Sequence, residues 1–218
     1  LSTLLDVFQS IQKKEIPFML ALTGLPTLFP KLVDSRTFAE RMFHVIFLDR
    51  LGQEDSKKAI LKPIESENCP VMIHSESVES ICRVSGGYPY FIQFVCREVY
   101  DVFIQKMDAG QEPSVPVDEI VRKLDADFFA GRWARVTDRQ RELLGVAARL
   151  KNSETEFTVI ELVERSREEL EKPFGSSHVN QMLASLCTAG LIYKNRHGKY
   201  SFAVPLLNQF ILRQAELA

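Results

Sequence analysis

The spacing of apolar positions changes twice along the chain and divides it into three stretches. In residues 1–53, Leu4, Leu5, Phe8 and Ile11 recur at helical intervals up to Lys13 and Lys14, which predicts an amphipathic helix. A continuous apolar run follows, Phe18, Met19, Leu20, Ala21 and Leu22, with Pro17 before it and Thr23-Gly24-Leu25-Pro26 after it. Such a run is expected as a strand buried on both faces, the kind found in parallel sheets. A helix is predicted over 27–42 and a second buried strand at Val45, Ile46, Phe47 and Leu48. Strand, helix, strand is the βαβ unit of a doubly wound sheet. Two strands are too few to make that sheet stable, so its remainder is expected from outside this chain or from another copy.

Residues 54–132 read as all-helical. A short helix is predicted at 56–61, ending before Pro63, and another at 76–84 with Val78, Ile81 and Cys82 on one face. Gly86-Gly87-Tyr88-Pro89 breaks the pattern. Phe91, Phe94, Val95, Val99, Val102 and Phe103 then form a helical stripe, 110–116 is a linker, and a helix over 117–129 closes the stretch. In residues 133–218, Thr137-Asp138-Arg139-Gln140 and Thr158-Val159-Ile160-Glu161 fit capping boxes that open two helices. A third opens at Ser177 and stops at Gly190. A hairpin with a glycine turn at Gly198 and a helix from Pro205 follow. Three helices and a hairpin predict a winged helix-turn-helix. The fold class expected is therefore mostly α, with a partial α/β element at the start.

Composition narrows the class. The apolar share of 45% and charged share of 26% are those of an ordinary globular protein, and the net charge of −2 supplies no global field for nucleic acid. Cys69, Cys82, Cys96 and Cys187 form no CxxC and no zinc spacing, so they are expected as reduced core residues of a cytoplasmic protein. No apolar run is long enough to span a membrane and no signal peptide is read. The chain opens at Leu1 inside a helix and without methionine, and is expected to be a fragment or processed form.

Five short motifs, in order, resemble the C-terminal part of bacterial and archaeal AAA+/STAND P-loop ATPases, relatives of the origin-recognition ATPases. They are Leu20-Ala21-Leu22-Thr23-Gly24-Leu25-Pro26, Phe38-Ala39-Glu40-Arg41-Met42-Phe43, Ser85-Gly86-Gly87-Tyr88-Pro89-Tyr90-Phe91, Val136 through Glu142, and Gly190-Leu191-Ile192-Tyr193 through Leu206. The resemblance implies a P-loop core remnant over 1–53, a helical lid over 54–132 and a winged helix over 133–218. It implies that Thr23 is sensor 1, a polar group directed at the γ-phosphate or the attacking water. It implies that Arg41 is an arginine finger for a neighbouring subunit's nucleotide, with Arg36 the competing candidate. It also implies that Gly87 and Pro89 lie near the adenosine. Pro89 stands where other lids of the class place an arginine, which leaves a sensor-2 arginine unassigned.

The phosphate-binding chemistry itself is missing. No glycine precedes Lys-Ser or Lys-Thr, so there is no P-loop, and no buried strand ends in an acidic pair for magnesium. ATP and Mg²⁺ are expected as cofactors of a full-length protein, and none is expected for this chain alone. The winged-helix reading carries a second possibility. Ser177, Asn180 and Gln181 lie on the polar face of the third helix, where such side chains read base edges, and Lys194, Arg196 and Lys199 lie on the wing with no acid beside them in sequence. The helix itself holds no Lys or Arg, which weakens phosphate contact. Two functions stand. One is the lid and winged-helix region of an ATP-dependent switch, working in oligomerisation, with self-association or a partner protein. The other is a module for duplex DNA with a degenerate ATPase portion.

Overall fold

The computed structural model describes residues 1–216 apart from 68, 70 and 113. The chain is mostly helical, with one two-stranded sheet among the described residues. It falls into two compact units. The first holds Leu1–Phe47, Asp138–Val204 and the segment from Ile211; the second holds Leu48–Thr137 and Pro205–Phe210.

In the first unit, α1 (Ser2–Lys13) buries Leu5 and Phe8. Leu5 meets Leu32 of α2 (Leu28–Ser35) and Ala39 of α3 (Ala39–Met42). The single helix predicted over 27–42 is broken at Arg36. There the Ser35 hydroxyl donates back to the Lys31 carbonyl, Arg36 turns extended, and its guanidinium forks onto Asp6 at 2.6 and 2.8 Å. The two strands predicted at 17–22 and 45–48 do not form. Residues 16–25 and 43–50 are irregular, and residues 17–24 and 44–49 make no backbone–backbone hydrogen bond among the described residues. An apolar run becomes a strand only beside another strand, and no described segment pairs with either. Phe18 and Phe43 nevertheless pack on Phe8, at ring separations of 6.1 and 6.0 Å.

The same unit holds α9 (Asp138–Ala148), α10 (Val159–Glu169), α11 (Ser176–Thr188) and the hairpin β1 (Ile192–Arg196) and β2 (Lys199–Phe202). The three helices pack on one another through Leu143, Leu144, Leu162, Val179, Leu183 and Leu186. Gly190 and Gly198 take positive φ at the helix stop and the hairpin turn, as their positions predict. The second capping box is complete: Glu161 N–H donates to Thr158 Oγ1, and Thr158 N–H donates to the Glu161 carboxylate at 2.7 Å.

The second unit is a helical bundle of α4 (Gln53–Ser66), α5 (Ser75–Ser85), α6 (Pro89–Asp108) and α7 (Val117–Leu124). Ile60, Val78, Ile81, Ile92, Val95 and Val99 form its centre. α4 runs through Pro63 instead of ending before it. Pro63 and Ala59 are both on the exposed side, so the Ala59 carbonyl that loses its donor faces water. The helix expected over 117–129 continues further, through a π-helical turn (Asp125–Phe129) into α8 (Ala130–Trp133). That turn sets both Phe128 and Phe129 against Phe91, at 5.1 and 6.2 Å, and Phe129 stacks on Phe210 at 5.0 Å. The helix expected from Pro205 starts as α12 (Leu207–Glu216), because Leu206 adopts a left-handed φ of 61°.

Glu161 makes the capping box pH-sensitive. Partial burial pushes its carboxyl up, but hydrogen bonds from the Thr158 hydroxyl and N–H and from Asn152, with Lys199 nearby, hold it below its ordinary value of 4.5. A depressed folded value means stability present above about pH 4.5 and lost as pH falls through the folded value. Glu161→Gln preserves the box geometry and removes this titration. Its acid-side loss of stability, read from urea midpoints against pH, is expected to be shallower than that of the parent; parallel curves would take Glu161 out of this role.

Candidate functional site

The most sharply constrained local geometry lies at the turn between α5 and α6. Gly86 caps α5 in the left-handed region, φ 59°, and Gly87 follows at φ 78°. Pro89 opens α6 at its first turn, where a missing N–H is harmless. Both glycines also make room. A Cβ on Gly86 would lie 2.7 Å from Leu206 Cδ2, and one on Gly87 would lie 2.6 Å from the Leu51 carbonyl oxygen. The segment preceding α4 is thereby docked on the turn. Leu51 N–H donates to the Gly87 carbonyl at 2.8 Å, and the buried Ser56 hydroxyl donates to the Leu51 carbonyl at 3.4 Å.

A cavity of about 690 Å³ opens against this junction, bordered by Leu51, Gln53, Ser80, Cys82 and the two glycines. Glu76, Glu79 and Arg83, spaced to share one face of α5, supply its charges. Burial pushes the Cys82 thiol above its ordinary value, which favours its neutral form. All four cysteines are free. Among the described residues no group of three or more His, Cys, Asp or Glu is placed to hold a metal ion.

The residues singled out in the sequence fall in separate places. Gly87 is buried and lines the cavity; Pro89 is exposed and does not. Thr23 is exposed in the irregular segment before α2, and Arg41 is exposed at the end of α3. No hydrogen bond or ion pair joins Thr23 to Arg41. Of the two arginines in competition, Arg36 is engaged by Asp6, and its hydrogen bond holds the Asp6 carboxyl below its ordinary value. Arg41 has no ion pair among the described residues, which leaves it the freer of the two.

Ser177, Asn180 and Gln181 are exposed on α11, although Asn180 Nδ2 already donates to the Ser176 carbonyl at 2.9 Å. Lys194 is exposed and Lys199 half-buried; the Arg196 side chain lies outside the described residues. The hairpin is not free of acids, as sequence adjacency had implied. Phe157 and Tyr200 exchange two backbone hydrogen bonds of 2.8 Å, which lays the chain before α10 along β2. Glu156 thereby accepts from Asn195 on β1, and Glu161 comes within electrostatic reach of Lys199. Several arginines on the neighbouring helices are also committed: Arg149 to Glu169 at 2.7 Å, Arg165 to Glu168 at 3.0 Å, and Arg139 to Glu142 and the face of Phe174. The cavity residues Glu76, Glu79 and Arg83 were not singled out in the sequence. Their helical spacing was visible, but nothing local announced that Leu51 returns to close the wall beside them.

Residues 126–211 match a family model described as a domain of unknown function (DUF8462). The match begins inside the π-helical turn and runs through α9, α10, α11 and the hairpin into α12. No curated protein matches the chain. No helix among the described residues is long and apolar enough to cross a membrane.

The glycine junction is testable directly. Gly87→Ala places a Cβ against the Leu51 carbonyl in a backbone region that disfavours side chains, and is expected to destabilise the fold by about 1–3 kcal/mol. Gly110, also at positive φ but with open space around it, controls for the backbone term alone. Equal losses in chemical denaturation for Gly87→Ala and Gly110→Ala would show that the close approach at Leu51 contributes nothing.

Proposed function

We propose that this chain is the lid and winged-helix region of an ATP-binding switch of the AAA+/STAND kind, acting in nucleotide-dependent rearrangement or oligomerisation. The observation that carries the reading is the state of residues 17–24 and 44–49. Both segments are largely apolar and make no backbone–backbone hydrogen bond among the described residues, and Met19, Phe47 and Leu48 are 87%, 77% and 89% exposed. Chain of this composition is suited to pairing with a further strand, and an unpaired apolar edge recruits one from another molecule when its own is absent. On this reading the P-loop strand comes from sequence outside residues 1–218, Thr23 and Arg41 act at the completed nucleotide site, and ATP with Mg²⁺ binds there.

The test is self-association of the chain as it stands. Light scattering is expected to show mass rising with concentration. Phe18→Lys with Phe47→Lys, both at exposed positions, is expected to return it to monomer. A parent chain that stays monomeric at every concentration overturns the reading.

A module for duplex DNA is the second reading, and the exposed row Ser177, Asn180 and Gln181 on α11 favours it. The electrostatic part would fall on the wing. Lys194→Ala with Lys199→Ala is expected to weaken duplex binding and to flatten its dependence on log salt by up to about two units, roughly one per phosphate contact. Unchanged salt dependence would place any DNA contact elsewhere. Glu156 and Glu161 beside these lysines lower the expected affinity, so the switch is the stronger of the two readings.

A further inference from the structure

The exposed apolar surface of the first unit is concentrated, uncharged and laid out as two strand edges on one seat. Of fifteen large apolar side chains exposed among the described residues, nine lie in residues 1–47, so the surface belongs to one part of the chain. Residues 16–25 and 43–47 contain no Asp, Glu, Lys or Arg. Two such surfaces meet without like-charge repulsion, whereas a charged partner finds no opposing charge there. Exposure alternates along both runs. Leu20 and Leu22 are half-buried while Met19 and Ala21 are exposed, and Phe43 and Val45 are half-buried while His44 and Ile46 are exposed. That is the period of an extended segment lying with one face on its own unit. Phe18 and Phe43 both pack on the Phe8 ring, so α1 holds the two runs side by side on one small face. Ile16, Phe18, Met19, Leu25, Ile46 and Phe47 are 42% to 87% exposed. At roughly 200 Å² for a fully exposed large side chain they leave on the order of 800 Å² of apolar surface in water, what each partner of a standard interface contributes. A lipid layer would leave the backbone groups of both runs without partners, whereas another extended segment satisfies them.

We infer that the occupant of this surface is a second copy of the chain, in a closed two-fold dimer in which the 17–22 run of each copy pairs with the 45–48 run of the other. A two-fold axis that passes through a pair of like runs leaves the other run on so small a face unpaired. Pairing unlike runs satisfies both at once and leaves no edge for a third copy. The inference rests on the nucleotide-switch reading, in which the strand that would otherwise lie beside these runs is outside residues 1–218.

Met19→Lys with Ala21→Lys blocks the first run, and Ile46→Lys with Phe47→Lys blocks the second. All four positions are exposed, so the fold tolerates the changes, which the circular dichroism spectrum verifies. Sedimentation equilibrium is expected to show the parent passing from monomer to dimer and no further. Each variant alone is expected to stay monomeric at concentrations where the parent is mostly dimer. An equimolar mixture of the two is expected to regain dimer mass, because each supplies the run that the other lacks. In a mixture of isotope-labelled and unlabelled parent, intermolecular nuclear Overhauser contacts are expected between the two runs. Three results overturn the inference: a variant that dimerises alone as the parent does, a mixture that stays monomeric, or a parent that grows past the dimer. Parent association persists in each of them, so the pairing falls and the proposed switch stands. A parent that binds neutral phosphatidylcholine vesicles and forms no dimer would make lipid the occupant and overturns the pairing as well. A parent that is monomeric at every concentration removes both.

Discussion

Two successive glycines in the left-handed region set the geometry of the second unit. Gly86 and Gly87 lie between α5 and α6, and each is approached on its bare side by a different part of the chain, Leu206 on one and the Leu51 carbonyl on the other. A left-handed backbone costs glycine little and other residues roughly 1–3 kcal/mol, so the positive φ values alone favour glycine at both positions. At Gly87 the approach adds an independent reason, since the Leu51 carbonyl oxygen 2.6 Å from a Cβ is backbone and cannot swing aside, whereas at Gly86 the neighbour is the tip of the Leu206 side chain. One dipeptide therefore fixes the angle between two helices, docks the segment before α4 and seats the residue before α12. The cavity exists because these demands coincide: the wall formed by Leu51 and Gln53 faces the charged side of α5 only while Leu51 is bonded to Gly87.

Local patterning was sufficient wherever an element is stabilised by its own sequence or by near neighbours. Phe91, Val95, Val99 and Phe103 of the predicted stripe are buried on α6, with Phe94 and Val102 half-buried, and the Thr158–Glu161 box and the glycine stops at Gly190 and Gly198 appear where turn chemistry places them. The break at Gly86-Gly87-Tyr88-Pro89 was also legible as a glycine-proline interruption, and α5 ends at Ser85. The docking of Leu51 on it was not, because that bond joins residues 36 positions apart and involves backbone atoms that every sequence possesses. Pro63 was over-read. A proline removes one helical bond, but on the wet side of a helix the freed carbonyl turns to solvent and the helix continues.

The runs at 17–22 and 45–48 show a different limit. Their composition specifies a strand in a parallel sheet, and a parallel strand is a property of a set of chains and not of one segment. With no partner, the same residues stay irregular, and part of their apolar surface is covered by Phe8 through Phe18 and Phe43 while Met19, Phe47 and Leu48 remain in water. Sequence pattern thus reported what the segments are suited to join, not what they do within this chain. The helix predicted over 27–42 failed for a related reason. Arg36 is in the middle of a plausible helical window, but the ion pair with Asp6 holds it in an extended conformation.

Charge near the hairpin illustrates how the third dimension rewrites a one-dimensional footprint. Lys194 and Lys199 have no acid among their immediate sequence neighbours, and a count along the chain makes the hairpin basic. The pairing of Phe157 with Tyr200 brings in Glu156 and Glu161 from some 40 residues away: Glu156 sets a carboxylate on the neutral Asn195 amide next to Lys194, and Glu161 lies within electrostatic reach of Lys199. At contact distances near a surface, one opposing charge offsets much of what one lysine offers a phosphate, and ionic screening then reduces the remainder. Binding by such a face would depend on shape and hydrogen bonding by Ser177, Asn180 and Gln181 more than on attraction. Those are groups that suit a protein surface as well as a base edge.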